Sequence, residues 1–194
     1  KGVWIMEEVR EWGDVCKEAN KNGVRVHKGR LGELCFQKGS ELQDGDPLKK
    51  YKGRHVFFGN KFRYQYFHNA QFENLSSSPA TFDAAKPCHA LSLLKGYEQT
   101  LSDAVSAYTQ EFLGGGRGKG VSTWLALPKH RWPASWENKY RDPVVPLVLA
   151  LYGHLDSGGY WEQYCERGVT AEGWQRIECW DSIFWYPKYE ALLL

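Results

Sequence analysis

From Glu7 to Asn20, apolar side chains at Val9, Trp12, Val15, Cys16 and Ala19 recur at helical spacing, and Asn22-Gly23 supplies a stop. The pattern predicts a first helix there. Val24-Arg25-Val26-His27 alternates like a strand and Leu34 to Lys38 reads as another, while Gly29 and Gly32 between them favour a turn or bulge. Asp44-Gly45-Asp46-Pro47 is the strongest turn signal in the chain. Tyr51 to Phe58 follows as a strand with exposed charges, closed by a turn at Gly59-Asn60. Ser76-Ser77-Ser78-Pro79 reads as a linker into a helix capped near Thr81 and running towards Leu94, where Lys95-Gly96 stops it. Pro87 inside that helix predicts a kink or a late start. A short strand is expected just before Asp103. Thr123 to Leu127 is a further strand ended by Pro128, and Val144 to Tyr152 is an apolar run ended by Gly153. A long helix from Ser157 or Gly158 to Ala171 stops at Gly173, and two strand-like pieces follow, Ile183 to Tyr186 and Tyr189 to Leu194.

A chain of 194 residues is long enough for one domain with a substantial core. Nine Trp, eleven Tyr and nine Phe argue against disorder and suit either a ring-rich core or a surface that stacks bases. No basic-then-apolar leader follows Lys1, and the apolar stretch Ala191 to Leu194 is far too short to span a membrane, so neither secretion nor a membrane partner is expected. Five scattered cysteines without a C-x-x-C pair read as reduced thiols of an intracellular protein, cytoplasmic or nuclear.

The net charge of +2 hides an asymmetry. Residues 1–70 hold 14 Lys/Arg against 9 Asp/Glu, and the remainder is acidic. Lys49, Lys50, Lys52, Arg54, Lys61 and Arg63 form a window without acids, interleaved with Tyr51, Phe57, Phe58, Phe62 and Tyr64. Phosphate-binding surfaces have this character, because cations neutralise backbone charge and rings stack on bases. A solvated basic hairpin has it too. The run Gly114-Gly115-Gly116-Arg117-Gly118-Lys119-Gly120 is not a P-loop: Gly120 stands where Ser or Thr is required, and the first glycine is misplaced. It reads as a flexible connection.

In Asp103-Ala104-Val105-Ser106-Ala107-Tyr108 an acid precedes an aromatic by five residues across a small-residue turn. Together with four other segments this sets a recognisable order. Lys52-Gly53-Arg54-His55-Val56-Phe57-Phe58-Gly59 resembles K-A-R-L-V-A-x-G, and Ser78-Pro79-Ala80-Thr81 stands where a P-V-A segment precedes a helix. The Asp103 segment resembles D-V-x-x-A-F, and Trp124-Leu125-Ala126-Leu127-Pro128 resembles I-Y-M-x-x-P. Ala150-Leu151-Tyr152-Gly153-His154-Leu155-Asp156-Ser157-Gly158-Gly159-Tyr160-Trp161 resembles A-I-Y-G-L-K-Q-A-P-R-x-W. These are motifs of the reverse-transcriptase domain of copia-type retrotransposon Pol polyproteins, and the resemblance covers roughly residues 45–194. Residues 1–44 match less distinctly and are expected to extend the fingers.

The resemblance implies an α+β fold, with a polymerase fingers and palm-like antiparallel sheet packed against helices and an incomplete palm. It implies template-directed deoxynucleotidyl transfer with two Mg²⁺ (or Mn²⁺) ions stabilising the attacking and leaving oxygens. Asp103 would be the catalytic metal-binding carboxylate and the backbone carbonyl of Ala104 a second ligand. Lys52 and Arg54 would meet the triphosphate, Tyr108 would exclude a ribose 2′-hydroxyl, and Tyr152 and Gly153 would line the nucleotide pocket. The implied partners are an RNA or DNA template-primer, deoxynucleotide triphosphates, and the remaining parts of the Pol polyprotein: palm hairpin, thumb and RNase H.

Three departures are visible. Leu155-Asp156 replaces Lys-Gln, and Gly158-Gly159 replaces Pro-Arg, which removes two positive charges. The Gly114 to Gly120 loop is longer than the family norm. The Asp-Asp pair is missing, with Leu192-Leu193-Leu194 resembling the start of the strand that carries it. The expectation is therefore a partial RNA-directed DNA polymerase, inactive as this chain alone. A non-catalytic nucleic-acid-binding remnant is the alternative reading, and an aromatic-cored scaffold without a nucleic-acid partner is a third.

Overall fold

The computed structural model describes residues 2–59, 63–65 and 77–194. Expectations attached to Asn60, Lys61, Phe62 and Ser76 lie outside the described residues. The first helix is shorter than its pattern. A 3-10 turn, Met6–Glu8, and a two-residue strand, β1 (Arg10–Glu11), precede α1 (Trp12–Lys21), because Arg10 and Glu11 pair with Val144 and Pro143 instead of coiling. Trp12, Val15 and Ala19 form the buried stripe of α1.

The two strands expected around Gly29 and Gly32 are one, β2 (Val26–Lys38). The glycines neither turn nor break it; they admit rings. A Cβ on Gly29 would lie 1.8 Å from the Phe57 ring, and one on Gly32 would lie 2.3 Å from the Phe58 ring. Glycine in a strand often marks such close approach. The turn at Asp44 to Pro47 then lies in the connection to β3 (Lys50–Phe57), which pairs antiparallel with β2 from Leu31↔Phe57 to Lys38↔Lys50. The junction of residues 1–44 with 45–194 thus falls within a hairpin.

Strand β4 (Arg63–Tyr64) also pairs with β2. Helix α2 (Phe82–Ser92) is capped as its sequence predicts, with Ala84 N–H donating to Thr81 Oγ1 at 3.2 Å, and Pro87 is accommodated inside it. Strands β5 (Ser122–Ala126) and β6 (Pro143–Pro146) complete a sheet of order β1-β6-β5-β2-β3, with β4 beside β2. The α+β class expected from sequence is observed. The expectation of a purely antiparallel sheet is corrected, because β2 and β5 run parallel from Val26↔Ser122 to Arg30↔Ala126. Helix α3 (Ser157–Ala171) leads to a small sheet, β7 (Gln175–Arg176), β8 (Phe184–Tyr186) and β9 (Ala191–Leu193).

Strand alternation sends neighbouring residues to opposite faces of the main sheet. Trp124, Val144 and Val26 pack with Trp12, Val15 and Ala19 of α1. Leu125, Val145, Leu31 and Phe57 pack with Leu127, Trp136, Leu147 and Leu151 in a second cluster. Phe57 and Leu151 of this second cluster adjoin the end of β3 and the Tyr152 turn. Among the described residues, no helix is long and apolar enough to cross a membrane, and all five cysteines are free.

Candidate nucleic-acid interface

Register sorts the charges of the β2–β3 hairpin. Residues directly opposite in an antiparallel pair project to the same face. Leu34↔Arg54, Phe36↔Lys52 and Lys38↔Lys50 therefore share one face: four cations and two apolar side chains, with no acid. Glu33↔His55 and Gln37↔Tyr51 occupy the other. There Glu33 is held well below the usual carboxylate range, first by a hydrogen bond from His130 at 2.6 Å and then by Arg131 Nε at 2.7 Å. The one acid on the paired strands is thus occupied on the far face, and among the described residues no ion pair holds Lys38, Lys50, Lys52 or Arg54.

The basic face runs into an aromatic cluster. The Arg54 guanidinium lies 5.6 Å from the Phe36 ring and 5.7 Å from the Tyr152 ring. The Tyr152 and Tyr108 rings are 4.5 Å apart, tilted by 48°. Each such contact contributes on the order of 0.5–1.5 kcal/mol, enough to set ring positions but not the fold.

Backbone bonds bring these parts together. Phe57 N–H donates to Tyr152 O at 2.6 Å, fastening the Tyr152 turn to the end of β3. Gly153, at φ +86, sits where a Cβ would be 2.2 Å from Phe57 O, so only glycine lets the two backbones approach. The close approach that its motif implies is thus made to β3. Ser157, at the start of α3, closes the same turn: its hydroxyl donates to Leu151 O at 2.8 Å and accepts from Leu151 N–H at 3.1 Å. His154, buried beside the Phe57 ring, has its pKa pushed down by burial to about 3. Its neutral Nδ1 accepts from Asp156 N–H.

Tyr108 stands in a 3-10 turn, Ala107–Gln110, entered through Ser106 in the left-handed region at φ 53. That turn is tied to the Tyr152 segment through Glu111. Glu111 N–H donates to Tyr108 O at 3.2 Å, and Ala150 N–H donates to Glu111 O at 2.9 Å. The Glu111 side chain, only 6% exposed, accepts from Arg167 of α3 and from Phe112 N–H at 2.7 Å. Sequence reading gave no role to Glu111, Arg167 or Ser157: Glu111 and Arg167 lie outside every motif and 56 residues apart, and Ser157 stands at an Ala position of the Ala150 to Trp161 motif.

Of the residues named from sequence, Arg54, Tyr108, Tyr152 and Gly153 are assembled in one place, with Lys52 on the same hairpin face. Asp103 and Ala104 are not built into it. They lie exposed in irregular chain between α2 and the Tyr108 turn. The short strand expected before Asp103 is absent from this described segment: Leu101 and Val105 are 95% and 81% exposed, so no pairing surface stabilises one. Among the described residues, no group of three or more His, Cys, Asp or Glu side chains is arranged to hold a metal ion. One exposed carboxylate does not fit a two-Mg²⁺ centre, which needs several hard oxygen ligands. The Gly114 to Gly120 segment is closed on itself: Lys119 N–H donates to Gly116 O at 3.0 Å, and a Cβ on Gly114 would meet Lys119 O at 2.1 Å. Compared with models of protein families, with curated proteins and with solved structures, the chain matches none.

Proposed function

We propose that this chain is part of an RNA-directed DNA polymerase similar to those of copia-type Pol polyproteins. Its fingers and partial palm would hold a template-primer and deoxynucleotide on the Lys52–Arg54 face. The reading also holds that the chain alone does not extend a primer. One observation carries it: an acid-free basic hairpin face that ends at the Arg54 guanidinium and the Tyr152 and Tyr108 rings. Cations at hairpin spacing meet phosphates, and the adjacent tilted rings offer a platform for a base or sugar. Arg54 provides a planar fork for phosphate oxygens. Tyr108, backed by Tyr152, presents a ring edge that would clash with a 2′-hydroxyl.

A second reading, a nucleic-acid-binding remnant without catalysis, is favoured by the single exposed carboxylate. Both readings are tested by titrating a labelled primer-template at several salt concentrations. With duplex DNA, Lys52→Ala/Arg54→Ala is expected to weaken binding and lower the log–log salt slope by about 1–2, as loss of two phosphate contacts requires. Salt-independent binding, or a double variant equal to wild type, sinks both readings. The polymerase reading further requires the next complementary deoxynucleotide to tighten the complex more than its ribonucleotide does, with Tyr108→Ala removing that preference. Without such a preference, the remnant reading stands.

A further inference from the structure

Tyr108 also lines a cleft of about 410 Å³ formed with α3, the Ser77 to Ala80 segment and residues of β8 and β9. Tyr108, Trp161 and Phe184 supply ring walls, and Cys165 lies among them. Burial pushes the Cys165 thiol above its ordinary range, so it presents a neutral, soft surface. The volume and the mainly apolar lining with its three rings suit a small organic ligand.

The polar groups narrow the class. Three charged residues line the cleft: Glu162, Glu166 and Arg176. Arg176 is committed to Glu166 at 3.3 Å and to Asp181 at 3.1 Å. Among the described residues, Glu162 accepts one hydrogen bond, from Ser78 N–H at 2.8 Å, and no cation pairs with it. The lining therefore has spare acceptors, a net negative charge and no uncommitted cation.

We propose that this cleft binds flat aromatic compounds carrying an amino or N–H donor group, the donor directed to Glu162 and the rings placed between Trp161, Phe184 and Tyr108. Tyr108 alone is shared with the Arg54–Tyr152 surface; the rest of the lining lies outside it, and the proposal does not depend on the polymerase reading. Anionic aromatics are excluded by Glu162 and Glu166.

Two probes that share a ring frame test this. N-phenyl-1-naphthylamine is neutral and carries an N–H; 8-anilinonaphthalene-1-sulfonate adds an anionic group. The first is expected to bind with energy transfer from tryptophan, and the second at least about tenfold more weakly. Site-resolved alkylation with N-ethylmaleimide locates the site on the wild-type protein. Bound N-phenyl-1-naphthylamine should slow modification of Cys165 severalfold while leaving the exposed Cys35 and Cys179 unchanged. Glu162→Gln should narrow the difference between the probes. Equal affinities for the two probes, equal protection of all three cysteines, or no protection of Cys165 would overturn the proposal.

Discussion

The ion pair between Glu111 and Arg167 yields a sharp prediction because its two ends differ in solvation. The Glu111 side chain is 6% exposed, whereas the Arg167 side chain is 54% exposed. Removing Arg167 leaves a carboxylate in the interior with one remaining donor, Phe112 N–H. Breaking a fully buried pair in this way costs about 3–5 kcal/mol, and partial access of water at the Arg167 end reduces that to roughly 2–3 kcal/mol. Arg167→Ala should therefore lower the Tm by about 4–10 °C in a chain of this length. Glu111→Gln keeps an acceptor for Phe112 N–H and leaves no buried charge, while Arg167 relaxes into water, so its cost is about 1 kcal/mol. The combination is diagnostic. Glu111→Gln added to Arg167→Ala removes the stranded charge and should restore about 1 kcal/mol relative to Arg167→Ala, which with the cost of Glu111→Gln alone makes a coupling of about 2 kcal/mol in a double-mutant cycle read by urea denaturation. Because Glu111 also holds the Tyr108 turn against Ala150, near-ultraviolet circular dichroism should weaken in Arg167→Ala and recover in the double variant. An Arg167→Ala protein within about 0.5 kcal/mol of wild type, or additive effects, would refute the reasoning.

Gly29→Ala should cost about 1–3 kcal/mol by driving a methyl into the Phe57 ring, whereas Gly53→Ala, with nothing within 4 Å, should be neutral within about 0.5 kcal/mol; urea midpoints for the pair decide it. Burial lowers the pKa of His154 to about 3 and of His27 to about 4, so between those values and 6.5 the unfolded chain binds more protons than the native one. Stability should be full above about pH 6.5 and fall as pH drops towards 4, and His154→Phe should flatten that acid limb relative to its own stability at pH 7.5. A stability profile level from pH 7 to pH 4 would contradict the assigned burial. Purified chain is expected to give no primer extension with Mg²⁺ or Mn²⁺; extension abolished by Asp103→Asn would reverse the assignment of the donor set.

Elements governed by local chemistry were legible in the residue pattern. Thr81 caps α2, Gly173 follows the end of α3, and the Asp44 to Pro47 turn lies in the hairpin connection, because each depends on residues within four positions of one another. Elements governed by distant contacts were not. Gly29 and Gly32 read as breakers until the Phe57 and Phe58 rings fill the space that their missing side chains leave. The parallel pairing of β2 with β5 joins segments separated by more than ninety residues, and no alternation pattern specifies it.

The candidate site divides along the same line. Arg54, Tyr108 and Tyr152 were identifiable as a set through motif order, but their convergence depends on features that leave no local mark. These are the Phe57–Tyr152 backbone bond, the loop made by Ser157, and a buried carboxylate paired across 56 residues. Asp103 had the clearest motif and the least structural support. Among the described residues Leu101 and Val105 are left exposed, so no packed neighbouring side chain fixes the carboxylate between them. A catalytic acid must be held by its neighbours within a fraction of an ångström, and here the described neighbours hold the tyrosines instead. The described structure therefore gives more support to the hairpin face, which we propose meets a polyanion, than to chemistry at Asp103.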